Sequence, residues 1–547
     1  MSDKKNIQLD DNLVKGSVWM SIGSIISRLI GALYIIPWII WMGGGDIGAG
    51  ANALYQLAYT PYSFFISLAT AGVPSAISKQ VSYYNALEEY EISKSIYRQS
   101  SKLMIITGVI SAILMFIMAP VIAKYSPSSN ISDATIVIRS ISPALLIIPL
   151  QSATRGFIQG HNRMNESAIS QIVEQIARVT FVLTAVYLIR IINNGSIVMA
   201  VSFSTLGALV GAIVSFIYLI WRLNNTSTVL KLEYSESKNK LNISTNHLLK
   251  EIIKDSIPFI ISATTITVIQ LLDQQTYAPL MEKLHYLDKS NIQITYGLVQ
   301  GNAYRFSMLL ISFGVAISTA SIPFISNLMA NKNSVEIKNQ IEKVIFLLMF
   351  IMFPISIGFS ILANPIYTLF YGYNSIGVNA TILFGIGSLI ISLYIVLSNI
   401  LLAANLKRAA IIIVLISYLI KIILQPLGIY FHSYYGMITS SLITFCITSC
   451  LMIYILHKYI KLSVKKISTD ILPIIIISLL MGISCWCLKL LLDNLLGQKP
   501  IILLISTIIV ALLGITIYVL MSLKAGILDK VIGKEYTNML RRYLKFY

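Results

Sequence analysis

Residues 344–370 read "VIFLLMFIMFPISIGFSILANPIYTLF", a stretch without one Asp, Glu, Lys or Arg. An α-helix rises about 1.5 Å per residue and a bilayer core is about 30 Å thick, so roughly 20 apolar residues cross it. Runs of this kind recur along the chain and constrain it more than any other feature. A backbone in hydrocarbon must satisfy its own hydrogen bonds, which for runs of this length means bundled helices. The sequence reads as an all-α polytopic membrane protein with 14 spans: 18–41, 54–81, 103–122, 134–156, 168–189, 197–221, 252–280, 297–330, 344–370, 378–404, 409–430, 436–457, 468–492 and 500–523. The runs 54–81, 252–280 and 297–330 are longer than a crossing needs and are expected to tilt, bend or project. Composition agrees: 12% of residues are charged, against about 25% in a soluble domain. The first run is too long for the apolar core of a signal peptide and no small-residue cleavage motif follows it. No cleavable signal is expected.

A net charge of +18 would suit a nucleic-acid partner in a soluble chain. Here its distribution points elsewhere, and no nucleic-acid partner is expected. Alternate connections, starting from the N-terminal tail and counting Lys79, Arg155 and Lys254 at the span ends with them, hold 30 Lys and Arg; the other set holds 5 and the spans hold the remaining 6. Basic residues gather on the cytoplasmic side, so both termini are expected in the cytoplasm. Trp38 and Trp41 mark the outer end of the first span, and Trp19 its inner end. The tail "ILDKVIGKEYTNMLRRYLKFY" mixes apolar and basic residues at helical spacing and is expected along the inner leaflet. The longest connection, 222–251, is polar, and no separate soluble domain is expected.

Two short matches suggest an internal repeat. "LATAGVPSAIS" (68–78) resembles "ISTASIPFIS" (317–326) at an offset of 249, and "GFIQGHNRM" (156–164) pairs with "NILLAANLK" (399–407) at 243. Six spans per repeat is even, so both halves enter from the same side, related by an axis along the membrane normal. The expected organisation is an N-lobe (1–222), a cytoplasmic connection (223–251), a C-lobe (252–457), two added spans (458–523) and an amphipathic tail (524–547). Two such lobes around a midplane site describe an alternating-access transporter.

Charges inside spans are costly and mark paths or sites. Arg28, Arg139, Arg178, Arg305 and Lys421 lie within spans, against Glu174 and Asp273. Lys489, near an outer end, is expected to snorkel, and Arg139 is open to the same reading. Glu174 and Arg178 are four apart on one helix, a spacing that allows mutual neutralisation. Arg28 and Arg305 have no charged residue three or four positions away. Lys421 falls on the repeat position of Arg178. The cationic excess suits an anionic substrate, because arginine offers a planar fork of donors and stays charged when desolvated. A drug-cation exporter calls for the opposite balance. Asp273 is a candidate for coupling to Na+ or H+, or for a counter-ion to an arginine.

Other chemistry finds no motif. "GGGDIG" (43–48) fits a dinucleotide-binding spacing but follows a membrane helix rather than a strand, and reads as a flexible loop. There is no phosphate-binding loop for ATP and no zinc-protease or nucleophile-elbow motif, so no enzyme and no bound cofactor is expected. The four cysteines, Cys446, Cys450, Cys485 and Cys487, lie in apolar runs without metal-ligand spacing and read as packing residues.

The stretches "GALYIIPWI…ALYQLAYTPYSFFISLATAGVPSAISKQVSYYNAL" (31–87), "IRSISPALLIIPLQSATRGFIQGHNRMNESAISQIVEQIARV" (138–179) and "STASIPFIS" (318–326) resemble the MurJ-type lipid II flippases of Gram-positive bacteria. These form part of the polysaccharide-export branch of the multidrug/oligosaccharidyl-lipid/polysaccharide superfamily. The resemblance implies a multi-pass protein of the bacterial plasma membrane with two six-helix lobes around a cationic cavity. It implies transport of an undecaprenyl-diphosphate-linked peptidoglycan precursor from inner to outer leaflet, a tail groove formed by spans 13 and 14, and contact with membrane lipids and the peptidoglycan synthesis machinery. By the same resemblance Arg28, in "SRLIG", matches an essential first-helix arginine, and Arg305 fills the role of one in the eighth helix. Tyr34 stands where Gram-negative members carry a second arginine, and the second-helix arginine is also missing. Membrane potential or an ion gradient is expected to reset the cycle. The alternatives are a flippase for another polyprenyl-linked oligosaccharide, such as a capsule or spore-coat unit, and a drug/cation antiporter of the same fold.

Overall fold

The computed structural model describes residues 23, 26–70, 72–225, 237, 245–330, 334–496 and 499–543. Trp19, most of the 222–251 connection and the last four residues lie outside them. The described residues are helical with no strand, and form two compact units, 1–297 and 298–547. The first holds α1 (Ile26–Met42), α2 (Gly45–Thr70), α3 (Val73–Ala86), α4 (Tyr90–Tyr125), α5 (Ile131–Ile141), α6 (Ala144–Gly160), α7 (Met164–Val186), α8 (Ile197–Asn225), α9 (Thr245–His285) and α10 (Lys289–Tyr296). The second holds α11 (Tyr304–Ala330), α12 (Ser334–Ile361), α13 (Ala363–Tyr371), α14 (Ser375–Ala403), α15 (Lys407–His432), α16 (Gly436–Ile460), α17 (Val464–Leu496), α18 (Pro500–Lys524), α19 (Ile527–Ile532) and α20 (Lys534–Tyr543). A π-helical segment, Gly297–Ala303, leads into α11.

Among the described residues, 10 helical segments are long and apolar enough to cross a membrane, and one of these, Lys407–Ile460, contains both α15 and α16. Helices α1, α2 and α11 fall outside that set, so length and hydropathy alone do not fix the number at fourteen. In α2 the reason is visible: it buries Asn52 and Thr60, and polar residues facing the bundle interior lower its mean hydropathy. Outer faces are apolar; on α4, Ile106 is 56% and Ile117 66% exposed. Surfaces this apolar suit lipid rather than water. Cys446, Cys450 and Cys487 are exposed on such faces and only Cys485 packs inside, which corrects the packing expectation for three of the four.

Close helix approach in lipid depends on small residues. The "GALVG" stretch of α8 places Gly207 and Gly211 against α7. A Cβ on Gly207 would lie 2.5 Å from Val182 Cγ2, and one on Gly211 2.7 Å from the Glu174 carbonyl. The glycine run at 43–45 is a tight reversal rather than a flexible loop. All three residues have positive φ, the Gly44 amide donates to the Ile39 carbonyl at 3.0 Å, and α2 begins at Gly45.

The repeat shows in local geometry. Helix α6 ends at Gly160 and α14 at Ala403; Asn162 (φ 58°) and Asn405 (φ 60°) take the left-handed turn; α7 starts at Met164 and α15 at Lys407. Every pair is 243 residues apart. The match at offset 249 diverges. The chain breaks at Gly72 (φ 76°), where α3 begins, but α11 runs unbroken through 317–326. Position 72 corresponds to Ser321, which lacks the freedom glycine has at positive φ.

Helix α9 packs with the first unit, although the sequence reading puts it at the head of the C-lobe. Gln274 Nε2 donates to the Leu57 carbonyl at 3.0 Å and to Ser126 Oγ at 2.9 Å. Gln293 Nε2 donates to the Gly50 carbonyl at 3.0 Å. These polar anchors tie α9 and α10 to α2 and to the end of α4, across sequence separations that no periodicity reveals.

Candidate functional site

Helix α2 carries Tyr55, Tyr59 and Tyr62 at i, i+4 and i+7, which puts them on one face. That face meets Arg178 of α7. Arg178 Nη2 donates to Tyr55 Oη at 2.9 Å and Nη1 to Tyr59 Oη at 3.2 Å. The guanidinium also lies 5.4 Å from the centroid of the Tyr59 ring. Tyr55 and Tyr59 are stacked at 5.5 Å, and Trp38 of α1 meets Tyr55 edge-on at 6.0 Å. Trp38 is itself fixed by its indole N–H, which donates to Ser204 Oγ of α8 at 2.9 Å. Neutral hydroxyls orient a guanidinium without cancelling its charge, so the positive field remains available to an anion.

Glu174 does not neutralise Arg178. Its Oε2 accepts from Arg155 Nη2 at 2.8 Å and from Gln151 Nε2 at 3.0 Å. Arg155 donates further to Ser170 Oγ at 2.8 Å and Ser215 Oγ at 3.2 Å. The basic-residue count takes Arg155, at the end of the 134–156 span, with the connection that follows, but α6 continues to Gly160 and carries it inside the bundle. The reach of that side chain decides the pairing over the i,i+4 spacing.

Arg28 is exposed on α1. Three residues on, Gly31 brings α1 against α7: a Cβ there would lie 2.9 Å from Gln175 Nε2. Arg28 and Arg178 therefore sit on two helices packed together in the first unit. Asp273 belongs to α9 of the same unit and is 3% exposed.

Arg305 belongs to the second unit, where it is half-buried just after the π-helical segment, and its Nε donates to the Gly301 carbonyl at 3.2 Å. Within that segment Asn302 Nδ2 donates to Tyr367 Oη at 3.0 Å. Short π segments are rare and recur at functional sites. Lys421 is fully buried. Its Nζ donates to the Met437 carbonyl at 3.1 Å, Ser440 Oγ at 2.8 Å and Ser441 Oγ at 2.7 Å. An ammonium has three donors, and all are directed at α16. So Lys421 shares the register of Arg178 but clamps a helical hairpin. Arg139 Nε donates to the Phe116 carbonyl at 3.4 Å, and its guanidinium stacks on the Phe116 ring at 4.8 Å. Phe116 is 48% exposed, which places Arg139 at the periphery of α4 and α5.

The structure thus gathers Arg28, Arg178 and Glu174 around α1 and α7, holds Arg305 in the second unit, and sets Lys421 and Arg139 apart. Tyr55, Tyr59 and Arg155 escape the sequence reading. The tyrosine spacing is the signal that would have found two of them.

A helical bundle with apolar outer faces and arginines such as Arg178 held among its helices is the architecture of a polytopic membrane protein. The model of the polysaccharide biosynthesis protein family matches residues 13–329, and the chain belongs to that family. A second model, MatE, matches residues 300–427. Along nearly its whole length the chain is similar to the lipid II flippase MurJ of Bacillus subtilis (strain 168), with 28% identity over 550 residues, covering 98% of this chain and 99% of that protein. Stage V sporulation protein B of the same organism is 29% identical over 38% of each chain. A solved structure of lipid II flippase MurJ in an inward closed conformation shares the fold, with a TM-score of 0.65, 18% identity and coverage of 94% and 99%.

Proposed function

We propose that the protein is a lipid II flippase, carrying an undecaprenyl-diphosphate-linked peptidoglycan precursor from the inner to the outer leaflet by alternating access. The observation that carries this reading is the likeness to lipid II flippase MurJ over 98% of the chain. The cationic excess supports it: Arg28 and Arg178 in one unit and Arg305 in the other supply guanidinium forks suited to a diphosphate. Their positive charge makes membrane potential a natural drive, since moving charge through the field does work. Asp273 is the candidate for Na+ or H+ coupling, or for a counter-ion to an arginine. Lys421 and Arg139 serve the bundle rather than the substrate. The basic residues of alternate connections favour cytoplasmic termini, spans 13 and 14 a groove for the lipid tail, and the substrate brings the protein to the peptidoglycan synthesis machinery. Complementation of a strain depleted of its lipid II flippase tests the proposal. Rescue is expected, and failure with normal membrane levels would defeat it. The similarity to Stage V sporulation protein B favours, as second reading, a flippase for a spore-coat or capsule precursor. That reading gains if rescue fails while export of such a unit is restored.

A further inference from the structure

The second unit carries a cavity of about 290 Å³ where α12, α17 and α19 meet. Glu342, Lys343 and Phe346 line it from α12, Lys466 and Asp470 from α17, and Lys530 from α19. Both carboxylates are already committed. Glu342 Oε2 accepts from Lys466 Nζ at 2.8 Å, and its Oε1 takes the Ser463 amide at 3.1 Å. Asp470 Oδ1 lies 2.6 Å from Lys530 Nζ. Lys343 adds a third ammonium to the lining. Three ammonium groups thus face two carboxylates, and Lys338, outside the lining, lies 4.0 Å from Glu342. The side chains of Lys466 and Lys530 are each 56% exposed, and an ammonium that gives one hydrogen to a carboxylate keeps two for a ligand.

The neighbouring tail fixes the depth of this cavity. Arg541 of α20 donates to Asp529 Oδ1 at 2.9 Å and to the Leu523 carbonyl at 3.0 Å, which holds α20 against α19. Tyr536, Met539 and Leu540 stand at i, i+3 and i+4 on α20 and are 68, 57 and 39% exposed. A basic amphipathic helix with an uncovered apolar face lies in the interface of a bilayer. The cavity one short helix away is then at headgroup level, and basic pockets between membrane helices at that level hold anionic headgroups.

We propose that this cavity binds the phosphodiester headgroup of an anionic phospholipid of the leaflet on which α20 lies. Calling that leaflet the inner one rests on the orientation given under the proposed function; the site itself does not. The test uses full-length protein purified from phosphatidylcholine nanodiscs with and without phosphatidylglycerol, with retained phosphatidylglycerol counted by native mass spectrometry. Wild type is expected to retain it, and Lys343→Gln with Lys530→Gln to lose it several-fold. Lys458→Gln, at the other end of the α16–α17 connection and outside the cavity lining, is expected to behave as wild type. If the double variant folds poorly, Lys343→Gln alone decides, because it leaves both ion pairs in place. Equal loss in Lys458→Gln, or no loss in the cavity variants, overturns the assignment. Inorganic phosphate in detergent that raises thermal stability as much as the lipid does would replace the lipid with free phosphate. Retention is read without the transported substrate, so this result and the complementation result stand independently.

Discussion

Arg155 Nη2 lies 2.8 Å from Glu174 Oε2, and this pairing draws Glu174 away from Arg178. The glutamate that sequence spacing offers to Arg178 belongs to another helix's arginine, while two tyrosines hold Arg178 in place. Both partners of the pair are mostly buried, with side chains 18 and 26% exposed. Glu174→Gln is expected to destabilise the protein by about 1–3 kcal/mol, because Arg155 loses its anionic acceptor. Thermal unfolding in detergent checks this. In a double-mutant cycle with Arg155→Met the two losses should fall short of additive; full additivity would mean that the pair contributes nothing.

Arg28→Ala is expected to abolish rescue of a flippase-depleted strain while the protein still reaches the membrane at wild-type level. Arg28→Lys should rescue partially, since a point charge lacks the bidentate grip of a guanidinium. Normal growth of the alanine variant would remove Arg28 from the site.

Tyr55→Phe and Tyr59→Phe each delete one acceptor from Arg178. A hydrogen bond to a charged group contributes about 1.5–3 kcal/mol. Transport is expected to fall several-fold in each, with little further effect in an Arg178→Ala background. Growth curves of complemented strains separate the outcomes. Unchanged effects in that background would show that the tyrosines act on something other than Arg178.

Lys421→Met is expected to keep rescue, because the clamped ammonium serves the α15–α16 hairpin and a methionine of similar length fills its space. Replacing buried charge by apolar volume is often neutral. Loss of rescue with unchanged thermal stability would return Lys421 to the transport path.

The carboxyl of Asp529 is held below its ordinary range, first by the Thr537 hydroxyl and then by Arg541. A carboxyl depressed in the folded state stabilises it above the unfolded pKa, and that contribution fades as pH falls through the folded value. Docking of α20 should therefore be constant from neutral pH to about pH 4 and weaken below it. Amide hydrogen exchange over 534–543 reads this directly; weakening between pH 7 and 5 would contradict it.

The chain's apolar runs determined that it is a helical membrane protein, because hydrocarbon leaves the backbone few alternatives. Its repeat was legible in two short matches, and one of them recurs as paired left-handed asparagines, Asn162 and Asn405. The excess of cations inside the spans was equally a property of sequence, since it is a matter of counting. Tertiary structure alone decided which cation meets which partner. Glu174 and Arg178 share a face of α7, yet Arg155 arrives from α6 and takes the carboxylate. Lys421 and Arg178 share a register, yet one is clamped by serines and the other oriented by tyrosines. The break at Gly72 and the continuity at Ser321 likewise separate two stretches that read alike. Periodicity records which face a side chain occupies; what stands opposite that face depends on contacts between residues dozens to hundreds of positions apart, and no local pattern contains them.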